Sequence, residues 1–121
     1  MLYSLSVIRM KKKYIITEIE EWNRKFPRFG IELPNGWFGR PYDNIHFLTY
    51  IIERDNKIII EVDEQLYLLF TKPVTVNLNE STLILSDWQQ FTFDRQGYGD
   101  MTANCDVYKS GTVKLIRYPT N

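Results

Sequence analysis

The sequence predicts a mainly β protein. The expected architecture is a single antiparallel meander that forms a barrel or a sandwich, with one short N-terminal helix (18–26) as an optional addition. Three observations carry this expectation. The 121 residues include a single alanine, the best helix former, against 13 isoleucines, 6 valines, 9 threonines and 18 aromatics, all types that fit a pleated, half-buried surface. From Phe47 to Arg117 apolar and polar residues alternate with period two in one short run after another, so that one face packs on a core and the other meets water. The breaks between runs are short, which implies antiparallel neighbours, because a parallel crossover needs roughly a dozen residues.

Leu2 to Ile8 sets Tyr3, Leu5 and Val7 against Ser4 and Ser6 and reads as a strand. It is a natural edge strand, and a free edge can pair across a two-fold axis to form a homodimer. Met10 followed by Lys11, Lys12 and Lys13 also resembles a bacterial start of translation, so residues 1–9 are expected to be a dispensable extension of one β-rich domain, 1–121. Tyr14 to Trp22 has two readings. As a strand, Ile15, Thr17 and Ile19 share one face, and this reading is preferred. As a helix over 18–26, Thr17 and Glu20 form a capping box, Ile19, Trp22 and Phe26 follow at helical spacing, and Pro27 ends the run.

The stretch from Leu33 to His46 is too broken for a regular element; Asn35-Gly36 and Arg40-Pro41 read as turns. From Phe47 the strands begin. Phe47–Arg54 and Lys57–Val62 flank Asp55-Asn56, two residues that tolerate positive φ in a tight turn. Gln65–Phe70 places Leu66, Leu68 and Phe70 on one face. Val74, Val76 and Leu78 alternate with Thr75 and Asn77, Asn79-Glu80-Ser81 turns, and Leu83 and Leu85 resume. Phe91 and Phe93 follow, then Val113 and Leu115 after a Ser110-Gly111 turn. Ile51-Ile52 and Ile58-Ile59-Ile60 carry large side chains on both faces, which marks central strands covered on both sides by a second sheet, a helix or a partner subunit.

Composition limits function. Fifteen basic and fifteen acidic residues balance to zero, unlike a protein that draws its affinity from phosphate contacts, so no nucleic acid is expected as partner. Residues 1–60 hold ten basic and seven acidic residues and residues 61–121 five and eight, a split too mild for a charged tail. No stretch approaches the roughly 18 apolar residues of a membrane span, and lysines follow rather than precede the first apolar segment. The lone Cys105 forms no internal disulfide. The expectation is a cytoplasmic protein without membrane association, and Asn79-Glu80-Ser81 is read as a chance sequon.

Chemistry-bearing motifs are sparse. Asp43 and His46 are half of a hydrolytic arrangement, but no activated nucleophile accompanies them and Cys105 has no motif around it. One His and one Cys make a poor zinc set, and Asp94, Asp100 and Asp106 do not follow a compact calcium loop. Gly97-Tyr98-Gly99 lacks the third glycine and helix of a dinucleotide site. No metal or cofactor is expected.

Trp37, Arg40, Tyr42, Asp43 and His46 gather in one loop, and Trp88, beside Asp87 on the polar register of Gln90 and Thr92, either points outward or, if its strand begins one residue later, packs over the sheet edge. Aromatic and charged groups on loops of a rigid scaffold suit binding, and an outward Trp is a typical interface anchor. Trp22 and Tyr98 extend the set of aromatics that a sugar or a partner would meet. The expected function is therefore a non-catalytic protein-binding module of the inhibitor, immunity or adaptor type. The alternative is a small-ligand-binding protein or hydrolase-like enzyme with a pocket under the 33–46 loop, worked by Arg40, Asp43 and His46.

Overall fold

The structure, a computed structural model, describes residues 15–38, 45–95 and 105–118. Within them one helix and ten strands follow in the order α1 (Ile15–Lys25), β1 (Phe29–Leu33), β2 (Gly36–Trp37), β3 (Leu48–Arg54), β4 (Lys57–Val62), β5 (Leu66–Thr71), β6 (Thr75–Asn79), β7 (Thr82–Ser86), β8 (Gln90–Asp94), β9 (Cys105–Tyr108) and β10 (Val113–Arg117). The strands form two five-stranded antiparallel sheets. The first sheet has the order β2-β1-β10-β7-β6 and the second β3-β4-β5-β8-β9. The predicted β class is observed, with one helix.

Alternation decides what each sheet buries. Phe29, Ile31, Leu83, Leu85, Val113 and Leu115 of the first sheet meet Ile58, Ile60, Leu66, Leu68, Phe70, Phe91 and Phe93 of the second in one core. Each such side chain contributes about 1.5–3 kcal/mol by leaving water. Phe91 is the aromatic hub, stacked on Phe70 at 4.8 Å and on Tyr108 at 5.5 Å between ring centroids.

The tight turns carry acidic residues in the left-handed region. Asp55 (φ 57°) closes β3–β4 and Glu80 (φ 56°) closes β6–β7. Asp63 and Glu64 (φ 56° and 64°) turn β4 into β5. A short polar side chain eases this conformation at Asp55 and Asp63.

The strand expected over Ile15, Thr17 and Ile19 is instead the helix α1. A strand would have put Trp22 on the face opposite Ile19, whereas a helix buries both. Glu18 in the first turn and Arg24 and Lys25 in the last complement the helix dipole. Thr17 lies inside the first turn and does not cap it. The Phe26 amide donates to the Trp22 carbonyl at 2.9 Å, and Pro27 ends the helix. The helix touches β3 and β6, the edge strands of different sheets, and so closes one open side of the sandwich.

Three strands escaped the reading of the sequence, among them the two-residue Gly36–Trp37. Phe29–Leu33 alternates Phe29, Ile31 and Leu33 but is hemmed between Pro27 and Pro34, and Cys105–Tyr108 is short and half exposed. The segment Leu2–Ile8, residue Met10 and the Gly97-Tyr98-Gly99 run lie outside the described residues. Among the described residues no helix is long and apolar enough to cross a membrane.

Candidate functional site

The 33–46 segment is less irregular than it reads. Pro34 and Asn35 turn the chain back so that Gly36 pairs with Leu33 and Trp37 with Glu32. The Phe38 amide then donates to the Ile31 carbonyl at 3.0 Å. Residues 39–44 follow, and the chain is beside β1 again at His46, where amide and carbonyl exchange bonds with Phe29 at 2.7 and 3.1 Å. Residues 36–38 and 46 therefore lie along one line at the edge of the first sheet, with 39–44 inserted between them. The partners of Trp37 and His46 on β1 are three residues apart, which separates the two by about 10 Å along the strand.

Pleating sorts these side chains. Phe38 turns inward and meets Phe93 edge-on at 4.9 Å. His46 turns inward and is 2% exposed. Trp37, Ile45 and Phe47 remain exposed at 48%, 43% and 40%. The Arg28 guanidinium lies over the Phe47 ring at 5.9 Å.

His46 does have a carboxylate partner, but it is Asp63. The His46 Nδ1 lies 2.6 Å from the Asp63 Oδ2. A carboxylate only accepts, so Nδ1 carries the proton. The other Asp63 oxygen accepts from the Phe47 amide at 3.0 Å, and the Asp63 amide donates to the Phe47 carbonyl at 3.0 Å. Next to it the Glu64 amide donates to the Thr49 hydroxyl at 2.8 Å. The chain leaves the first sheet at His46 and enters the second at Leu48, and the β4–β5 turn clips that crossing in place. Asp63 was not legible as this partner: its neighbours mark only a break in alternation, and the pairing spans 17 residues. Ile45 and Phe47, two apolar residues flanking the only His, carried a faint signal.

Arg40, Tyr42, Asp43 and Asp100 lie outside the described residues. Trp88 is described and does not point outward. It is 5% exposed, its ring lies 5.7 Å from Phe91, and its Nε1 donates to the Leu85 carbonyl at 3.1 Å. β8 begins only at Gln90 and Asp87 (φ 59°) turns the chain just before Trp88, so Trp88 lies outside the register of Gln90 and Thr92 and packs inward, the second of its two readings. Trp22 is likewise core, at 3% exposure.

Among the described residues no group of three His, Cys, Asp or Glu side chains is placed to hold a metal ion. Asp106 is engaged by the Arg95 guanidinium. Cys105 is exposed, and partial desolvation of its thiol by neighbouring atoms, followed by the charge of Asp94, pushes its pKa up, away from a reactive thiolate.

Two open grooves adjoin the end of α1. One of about 460 Å³ is lined by Trp22, Arg24, Lys25, Phe26, Leu78 and the carboxylates of Glu21 and Glu80. The other, of about 210 Å³, shares Lys25 and Phe26 and adds Pro27, Arg28, Arg117 and Tyr118. Neither is lined by any residue of the 33–46 segment.

Comparison of the chain with protein-family models, with curated proteins and with solved structures finds no match.

Proposed function

We propose that this protein is a non-catalytic protein-binding module whose binding surface is the interrupted edge strand beside β1. The observation that carries the reading is the row of Trp37, Ile45 and Phe47, all exposed by two-fifths or more on either side of residues 39–44. Large aromatic side chains beside an Arg are the residue types that supply most binding energy at protein interfaces. Trp37 is the anchor, Ile45 and Phe47 extend the apolar patch, and Arg28 provides a polar rim. Arg40, Tyr42 and Asp43 belong to the inserted segment and add the charged and hydrogen-bonding contacts that set partner choice.

The hydrolase-like alternative is less well supported. The residue it needs as general base is almost wholly buried and holds its Nδ1 proton toward Asp63 at a corner of the fold.

The test is affinity capture followed by reconstitution with the purified partner. Trp37→Ala with Phe47→Ala is expected to weaken the complex by about 100-fold, as for loss of two anchors, while Leu78→Ala on the far edge strand leaves it intact. Binding unchanged by the double variant, with its circular dichroism native, would refute this surface.

A further inference from the structure

The outer face of the second sheet is ordered in a way the proposed function does not use. The strand registers align its outward residues in rows that cross all five strands. One row is Tyr50, Glu61, Tyr67, Asp94 and Cys105. The next is Ile52, Ile59, Leu69, Thr92 and Val107. The third begins with Arg54 and Lys57, passes Thr71 and Gln90, and ends at Lys109, whose Nζ donates to the Gln90 Oε1 at 2.7 Å. The face thus has an apolar stripe with an acidic, tyrosine-rich border on one side and a basic border on the other.

Ile52, Ile59 and Leu69 are half-buried and Val107 is 54% exposed. The helix α1 touches the edge strand β3 but also β6 of the opposite sheet, which places it at the side of the sandwich. The acidic border is felt by its own members: Glu61, and after it burial, pushes the Tyr67 phenol above its usual pKa.

We infer that this face docks against the same face of a second copy of the chain, with the two-fold axis running along the Ile52–Val107 stripe. Rotation about that axis leaves each strand over its own copy and exchanges the two borders. Glu61 then faces Lys57 of the other copy, Tyr50 faces Arg54, and the apolar stripe covers itself. An axis parallel to the strands would instead set the acidic border on the acidic border, and like charges across an interface are unfavourable. Self-complementarity under one of the two in-plane axes is what an isologous interface requires.

Five strands about 4.8 Å apart and three rows about 6.8 Å apart give a footprint of about 500 Å² on each subunit. That lies at the low end for specific complexes, so the dimer is weak and forms at micromolar or higher concentration. This interface is independent of the Trp37 surface, which belongs to the other sheet, and differs from pairing through a sheet edge.

Sedimentation velocity over about 5–500 µM tests it, a range that covers weak association. The wild-type mass is expected to rise from 14.5 kDa toward twice that value. Glu61→Lys and Lys57→Glu, both outward positions, each place like charges opposite one another twice per dimer and should weaken it by about tenfold or more. An equimolar mixture of the two variants restores opposite charges on both sides and should dimerise within about threefold of wild type. Ile59→Lys, on the stripe, should abolish the dimer; native circular dichroism confirms that each variant is folded. A wild-type chain that stays monomeric throughout overturns the proposal. So does a dimer indifferent to these substitutions, or a mixture no stronger than its components.

Discussion

Removing the Asp63 carboxylate should loosen the corner where the chain passes between sheets, and the size of the effect follows from its contacts. Asp63→Ala deletes a 2.6 Å bond to a histidine that is 2% exposed. A hydrogen bond to a charged group is worth about 1.5–3 kcal/mol, and the His46 Nδ1 loses this acceptor. The Phe47 amide also loses its acceptor at 3.0 Å, but that bond is exposed and water replaces it. Asp63 has φ 56°, and placing alanine there adds about 1 kcal/mol of backbone cost. The expected loss is about 2.5–4 kcal/mol, a substantial part of the roughly 5–15 kcal/mol that holds a typical domain together. Urea denaturation followed by the fluorescence of the buried Trp22 and Trp88 measures it. Asp63→Gly, free of the backbone cost, should recover about 1 kcal/mol, and Asp63→Asn, which keeps an oxygen and tolerates this φ, should lose only about 1–2 kcal/mol. An Asp63→Ala loss below about 1 kcal/mol would refute the reasoning, since strand pairing alone would then be holding the corner.

Three further outcomes are expected. Trp88→Ala should cost about 3–5 kcal/mol in the same assay, as for a core aromatic, whereas an outward Trp would change stability by no more than about 0.5 kcal/mol. Gly111→Ala should cost about 1–3 kcal/mol, because the backbone sits at φ 121° and the new Cβ would lie 2.8 Å from the Cβ of Pro34. The thiol of Cys105 has a raised pKa, so less of it is thiolate at a given pH. Its alkylation rate should therefore rise with a midpoint at higher pH in the folded protein than in the urea-unfolded chain, and Asp94→Asn should move that midpoint down. A folded midpoint at or below the unfolded one would contradict the assigned causes.

The strands from β3 to β8 and the last strand were legible because each hairpin is a local statement. Ile58, Ile60 and Val62 alternate with Lys57, Ile59 and Glu61, and Asp55-Asn56 suits the turn before them. Such patterns depend only on neighbours in the chain. The helix was harder, since Ile15, Thr17 and Ile19 satisfy a strand until Trp22 is required to reach the same core. Trp88 stayed open between an outward and a packed reading, because it lies two residues before its strand and directly after a turn, where alternation does not fix its side. Of the site residues, Trp37 stands exposed as a binding residue must, while His46 is committed to a partner that no local pattern names.

What the sequence determined by itself was the β class, most hairpins and the residues that line the core, because period-two burial and turn chemistry act over a few residues. Tertiary contacts alone settle which strands share a sheet, that His46 bonds Asp63, and that Trp37, Ile45 and Phe47 all stay exposed beside the bridge to β1. The rows across the second sheet belong to the same class of fact. A charged border, an apolar stripe and an opposite border come from strands up to 55 residues apart, and register alone brings them into line. Register is set by the burial of the opposite face, where a slip of one residue would turn every core side chain to water. The outward pattern is therefore fixed by the core it never touches.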